Sequence, residues 1–402
     1  MTAGSQDDGQ SEAASSSLSL TASQLPFDLS SLSLTAPHLP FDLVAEILCR
    51  LPVKQLLQLC CVCKLWNSLI SFDSKFARKQ LSLSASHRDS HHLFLSSTRC
   101  SCEFLLCHSP ISSFFTSASN IVPVKQFSPT LTGVLNNGRR RAAISACDGL
   151  LCFGIDKSLA VLYNPSTRKS KILPPLENSK ETCFLNSYTL VYDRVTSNYK
   201  IVAIVTLCDS KIEVNIHVLG TDYWTRIPDF PCSSLIRKPG IFVNDTVNWF
   251  ASENNLAWVI VSLDLEKESY QKFSPPFYKD GDSGTEHSIA LGAFKGCLSI
   301  LSHICKEKIS NIWIMKEYGN EKSWTKLFSI PHSEEGMFYC YVKVLYISED
   351  DKLLMEFYNM GEYGFVVYDS INNTFSIPKM QNNIHDHKVV PQFYVQSLIS
   401  PL

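Results

Sequence analysis

Five times between residues 160 and 378 the chain passes through one succession: an alternating or wholly apolar strand, a polar turn, a second strand and a proline. The five run from Ala160 through Arg168 to Pro174, from Val214 through Trp224 to Pro228, from Val259 through Tyr270 to Pro275, from Ile312 through Trp324 to Pro331, and from Phe365 through Thr374 to Pro378. The closing prolines stand about 40 to 55 residues apart. A unit of that length made of short strands cannot bury its apolar face alone, whereas stacked copies can, and the pattern indicates a β-propeller. Apolar half-units precede each pair: Gly149–Phe153, Tyr199–Val205, Gly240–Val243 with Val247–Phe250, Gly296–Ile300 and Leu353–Phe357. Asn164-Pro165, Asp280-Gly281 and Asn372-Asn373 mark the turns.

A sixth unit is expected from His92–His108, and Phe393–Ile399 can close the ring against it. Closure removes sheet edges that would otherwise pair with other chains. The Gly-Gly pair of kelch repeats and the Trp-Asp of the other common propeller repeat are both missing.

Ahead of this lies one dense helical stretch, residues 39–76. Apolar residues fall at steps of three and four: Leu43, Ile47, Leu48 and Leu51, then Val53, Leu56, Leu57 and Leu59, then Val62, Leu65, Trp66, Leu69 and Ile70. Asp42 is placed to cap the first helix, Glu46 suits its opening turns, and Pro52 separates it from the second. Three short helices result, and a fourth amphipathic segment, Asp73–Leu83, follows with Asp73 or Ser74 as cap. So small a unit is marginal unless it packs on a partner, either the rest of the chain or another protein.

The order Leu39-Pro40-x-Asp42-Leu43, Glu46-Ile47-Leu48-x-Arg50-Leu51-Pro52-Val53, Cys61-Val62-Cys63-Lys64-x-Trp66-x-Ser68-Leu69-Ile70 resembles the F-box motif over its full length. It departs from that motif at Gln58-Leu59-Cys60-Cys61, where the family often places Arg and Phe. The resemblance implies docking on the Skp-type adaptor of a cullin–RING ubiquitin ligase. It puts Leu39, Pro40, Ile47, Leu51, Pro52, Val62 and Trp66 on or near the adaptor surface, with Leu65 and Leu69 internal. A second resemblance covers most of residues 90–380. Cys147-Asp-Gly-Leu-Leu-Cys152, Tyr163–Arg168 with Leu173-Pro-Pro175, Val191-Tyr-Asp193 with Asn198-Tyr-Lys200, and Ile312–Tyr318 with Ser323–Leu327 look like the F-box-associated (type 1, kelch/propeller-like) domain of plant F-box proteins.

The expected fold is α+β multidomain: a Ser-rich disordered N-terminus over 1–36, a small three-helix F-box domain over 37–84, and an all-β propeller-like domain of about six blades over 85–402. The N-terminal segment carries a tandem copy, Ser17–Leu29 and Ser31–Leu43, of which only the second continues into helices.

A net charge of -2 provides no field for nucleic acid, and Gly138–Arg141 reads as a solvated loop. No secretory signal and no run of about eighteen apolar residues is present, so a cytoplasmic or nuclear protein without a membrane span is expected. The fifteen cysteines follow no disulfide or zinc spacing and read as reduced, mostly buried thiols. There is no phosphate-cradling glycine loop, no Gly-x-Ser-x-Gly and no His-Glu-x-x-His; Ser166-x-x-Lys169 lies in a turn of the repeat. No catalytic residue, cofactor or metal is expected.

The resemblances imply a substrate receptor that binds adaptor through the helices and a target protein through propeller loops, with 176–187, 231–239 and 277–288 as candidates. A propeller enzyme or small-molecule binder, with perturbed titratable groups at one ring face, is the alternative, as is an adaptor-binding scaffold that promotes no ubiquitination.

Overall fold

The strands expected from the repeat pair as antiparallel four-stranded sheets because each is bounded by a tight turn with a residue at positive φ. In the turn between third and fourth strands, that residue stands four after the strand's last: Arg168 after Asn164, Glu268 after Asp264, Asn373 after Asp369. Asn164, Asp264 and Asp369 each accept two turn amides on Oδ1, which holds the reversal without tertiary help.

The computed structural model describes residues 39–98, 104–116, 121–122, 124–127, 144–154, 159–176, 184–207, 211–232, 234–235, 238–253, 257–276, 289–304, 308–331, 340–359, 362–381 and 389–402. By contact density the chain divides into residues 1–44 and 45–402. The second unit carries a six-bladed β-propeller.

Blades two to six are consecutive in the chain: 145–172, 184–227, 234–273, 289–331 and 340–376. Blade one is composite. Its inner strand, Val389–Val395, pairs antiparallel with His91–Thr98, which pairs with Phe104–Pro110 and then Lys125–Phe127. Phe393 lies opposite Leu93, so the expected closure against 92–108 is met by residues 389–395. Residues 396–402 run on without strand pairing.

The first strands of successive blades adjoin one another around the ring. Apolar clusters fill the spaces between blades three and four, four and five, five and six, six and one, and one and two. Both faces of the sheets in blades one, four, five and six are thus buried, and many of their strands are rich in Val, Ile and Leu.

A tie that the sequence pattern did not reveal links blades in series. Trp224 Nε1 donates to the Pro174 carbonyl at 2.9 Å, Tyr270 Oη to the Pro228 carbonyl at 2.8 Å, and Trp324 Nε1 to the Ser274 carbonyl at 3.3 Å. In blades three, four and five an aromatic donor near the start of the fourth strand therefore satisfies the segment that closes the preceding blade. This gives the repeated aromatic-to-proline spacing a physical reason.

Antiparallel order puts the turns between first and second, and third and fourth, strands at one end of the ring. The links between second and third strands, and between blades, begin and end at the other. All three candidate loops are blade-to-blade links or interrupt a first strand. Residues 277–288 lie outside the described set, as do 177–183. Residues 184–187 belong to the first strand of blade three, and 234–235 form a short strand, so these two candidates are shorter as loops than expected.

Candidate docking surface

Four helices lead into the propeller: α1 (Phe41–Leu48), α2 (Val53–Leu59), α3 (Lys64–Phe72) and α4 (Ser74–Ser84). Asp42 lies inside the first turn of α1 rather than capping it, so its carboxylate contributes through the helix dipole. Pro52 precedes α2, and its carbonyl accepts from Gln55 and Leu56. Cys63 Sγ caps α3 by accepting from Trp66 N at 3.5 Å, and Asp73 caps α4 by accepting from Phe76 N at 2.9 Å. The Cys60–Cys63 run is thus a helix end, a turn and a cap. Among the described residues no group of three or more His, Cys, Asp or Glu could hold a metal.

Each helix buries part of its apolar set and leaves the rest in water. Leu48, Val53, Leu56, Leu69, Ile70, Phe76, Ala77 and Leu81 are buried. Ile47, Leu57, Val62, Leu65 and Phe72 are exposed, by 54%, 36%, 60%, 65% and 78%. Among the residues expected at the adaptor surface, Ile47, Val62 and Pro52 are exposed, and Leu51 and Trp66 are half-buried. In the first unit, Leu39 and Pro40 are exposed too. Leu69 is internal as expected; Leu65 is not, because it projects from α3 to solvent. Helical spacing shows that a residue joins an apolar stripe, but not which flank the core covers.

Charge joins the helices to one another, and charge with stacking holds α4 on the propeller. Glu46 pairs with Arg50 and with Lys79 of α4. The Arg78 guanidinium lies 3.4 Å from the Tyr192 ring centroid and 5.3 Å from that of Tyr199. It reaches Asp148 Oδ2 at 3.5 Å, the same oxygen that accepts from Tyr199 Oη at 3.0 Å. Burial, reinforced by the Asp148 charge, pushes the Tyr199 phenol well above its usual range, so it remains a donor. Asp148 sits in the turn between first and second strands of blade two, so α4 meets the turn end of the ring. Sequence reasoning missed this node: no spacing links Arg78 to residues 70 and more positions away.

Comparison with known proteins agrees with this architecture. A family model described as the F-box domain matches residues 37–77, and one described as the F-box associated beta propeller domain matches residues 100–401. An F-box/kelch-repeat protein of Arabidopsis thaliana is 30% identical over 372 residues, covering 89% of this chain and 94% of that one. The F-box protein CPR1 of the same plant is 25% identical over 253 residues, 56% of this chain and 61% of its own. A further Arabidopsis thaliana F-box protein is 27% identical over 317 residues, 71% of each. With an F-box motif leading into a six-bladed ring, and the associated-domain model spanning most of that ring, the chain belongs to the family of F-box proteins that carry an F-box-associated β-propeller domain.

Proposed function

We propose that this protein is the substrate-recognition subunit of an SCF-type cullin–RING ubiquitin ligase, acting in the cytoplasm or nucleus. The observation that carries the reading is the uncovered apolar flank of the helices, Ile47, Val62 and Leu65, within a matched F-box. Leu39, Pro40, Ile47, Leu51, Pro52, Val62 and Trp66 form the proposed contact with a Skp-type adaptor, and Leu65 joins them. The chain supplies no catalytic group; it holds a target near a ubiquitin-loaded enzyme and raises the effective concentration of its lysines. Because α4 meets the turn end of the ring, the opposite end, where blade-to-blade links emerge, is left for the target. The domain limits 1–36, 37–84 and 85–402 are proposed with it.

Ile47→Glu with Val62→Glu tests the docking face. Both side chains already lie in water, so stability changes little. Co-purification with adaptor should fall by at least about 30-fold, the loss of one binding hot spot. Trp66→Ala with Leu51→Ala should also abolish capture, with some loss of helix stability because both are half-buried. A double glutamate variant that captures adaptor like the parent sinks the assignment.

A further inference from the structure

A cluster of charge lies where blades one, four and six face the ring axis. Lys343, on the first strand of blade six, stands directly across from Glu356 on the second. Its Nζ donates to Gln392 Oε1 of the closing strand at 3.3 Å. Lys238 enters from blade four, in the gap between the two halves of that blade's broken first strand, 234–235 and 241–243. It interacts electrostatically with both Glu356 and Lys343. Glu356 is only 7% exposed, whereas Lys238 is exposed.

Burial pushes both ammonium groups below their usual range; Glu356 opposes this at both, and Lys238 adds to it at Lys343. Among the described residues, two amines face one carboxylate, so with both protonated the cluster carries an excess of one positive charge, in a setting that makes unbalanced charge costly. Lys343 precedes the turn at Ser348 by about five residues, and Lys238 precedes the turn at Asn244 by about six. At about 3.3 Å per residue, both stand well away from the turn end and toward the end left for the target.

We infer that this cluster is an anion pocket that accepts one carboxylate of the target, the side chain of an acidic residue, and so makes that residue part of the recognised segment. The inference rests on the substrate-receptor reading. A monoanion matches the excess of one charge, whereas a phosphate, carrying about -1.5 to -2, overshoots it.

The full-length chain is titrated into fluorescein-labelled, C-terminally amidated hexaglutamate and hexaglutamine, with anisotropy as readout. Hexaglutamate binds and hexaglutamine does not. Lys238→Met and Lys343→Met each weaken binding about tenfold, as expected for removing one charge at a partly desolvated site. Glu356→Gln tightens it by removing the internal competitor, and Lys267→Met, a control at the turn end, changes nothing. Equal binding of both peptides, or lysine variants that bind like the parent, overturns the pocket. Hexaglutamine with a free C-terminus that binds as well as hexaglutamate overturns the side-chain assignment in favour of a terminal carboxylate. Adaptor capture by the same variants separates the two readings: K238M is expected to retain it. Failure of the parent chain to capture adaptor overturns the receptor reading instead.

Discussion

A chain that stops at residue 388 does not form a cooperative propeller. Residues 389–402 contribute the inner strand of blade one and two clusters' worth of contacts. Tyr394 is 2% exposed in the space between blades one and two, with its ring edge-on to Phe94 at 6.2 Å between centroids. Phe393 packs against the cluster between blades six and one, beside His91 and Tyr346. Removing the strand opens both spaces and leaves His91–Thr98 as an unpaired edge. The expected readout is loss of the single urea transition with concentration-dependent aggregation.

A chain that stops at residue 395 keeps the strand and loses only the tail. That tail is fastened: Asn164 Nδ2 donates to the Ser397 carbonyl at 3.1 Å and the Ile399 carbonyl at 2.7 Å, and Ser397 N donates to Ser166 Oγ at 3.3 Å. Ser397, Leu398 and Ile399 are buried. The shorter truncation should cost about 2–4 kcal/mol, from lost apolar burial and buried donors left unmade. Asn164→Asp isolates the fastening, since it keeps the turn acceptor and removes the donor. Gly149→Ala should act similarly. An added Cβ would lie 2.5 Å from the Val395 carbonyl oxygen, at a φ of +81° that side chains seldom adopt. Full cooperativity in the chain ending at 388 would show that the ring does not depend on this strand.

Asp193→Asn is the second large effect. Asp193 and Lys200 form a 2.8 Å ion pair in blade three, with side chains 10% and 12% exposed. Burial alone would raise the Asp193 carboxyl; hydrogen bonds from Lys200, Thr196 and Val195 outweigh it and hold the group down to about 2. The ordinary value is 3.8, so the difference is worth about 2 kcal/mol of folding stability. Because the folded value is the lower one, that stability is complete above pH 3.8 and is lost as pH falls through about 2. The asparagine variant keeps the turn but strands the Lys200 charge, which then has the Leu265 carbonyl at 3.4 Å. At pH 7 it should lose about 2–3 kcal/mol in urea unfolding, and the gap to the parent should narrow between pH 4 and pH 2. A pH-independent gap would mean that packing, and not the ion pair, sets the cost.

The sequence announced the second, third and fourth strands of the blades and was silent on several first strands. The reason lies in what first strands touch. Blade three's, Phe184–Asp193, carries buried Ser187 and Thr189, and Thr189 Oγ1 accepts from Gly240 N of blade four at 2.7 Å. Leu190 N of the same strand donates to Ser145 Oγ of blade two at 2.9 Å. Blades meet at the axis through such polar bonds, so the strand lacks both the alternation and the apolar run that mark its neighbours. The helices were readable for the opposite reason, because their stripe is strong. Yet one apolar stripe holds both the side chains the core covers and those it leaves exposed, which is why spacing identifies Leu69 as internal but misassigns Leu65. The Lys238–Lys343–Glu356 group could not be read at all: its members come from different blades and meet only when the ring is complete.

Ring closure also sets a clock. His91–Thr98 must wait for a partner almost 300 residues later in the chain. At a synthesis rate of about 5–20 residues per second, that wait lasts roughly 15–60 s. Throughout it the helices before residue 84 have left the ribosome, while the outermost sheet of the nascent ring has an open edge, the kind that recruits other chains. On the proposed receptor reading, such a chain meets an adaptor long before it can hold a target, and the interval between the two is when it most needs a chaperone.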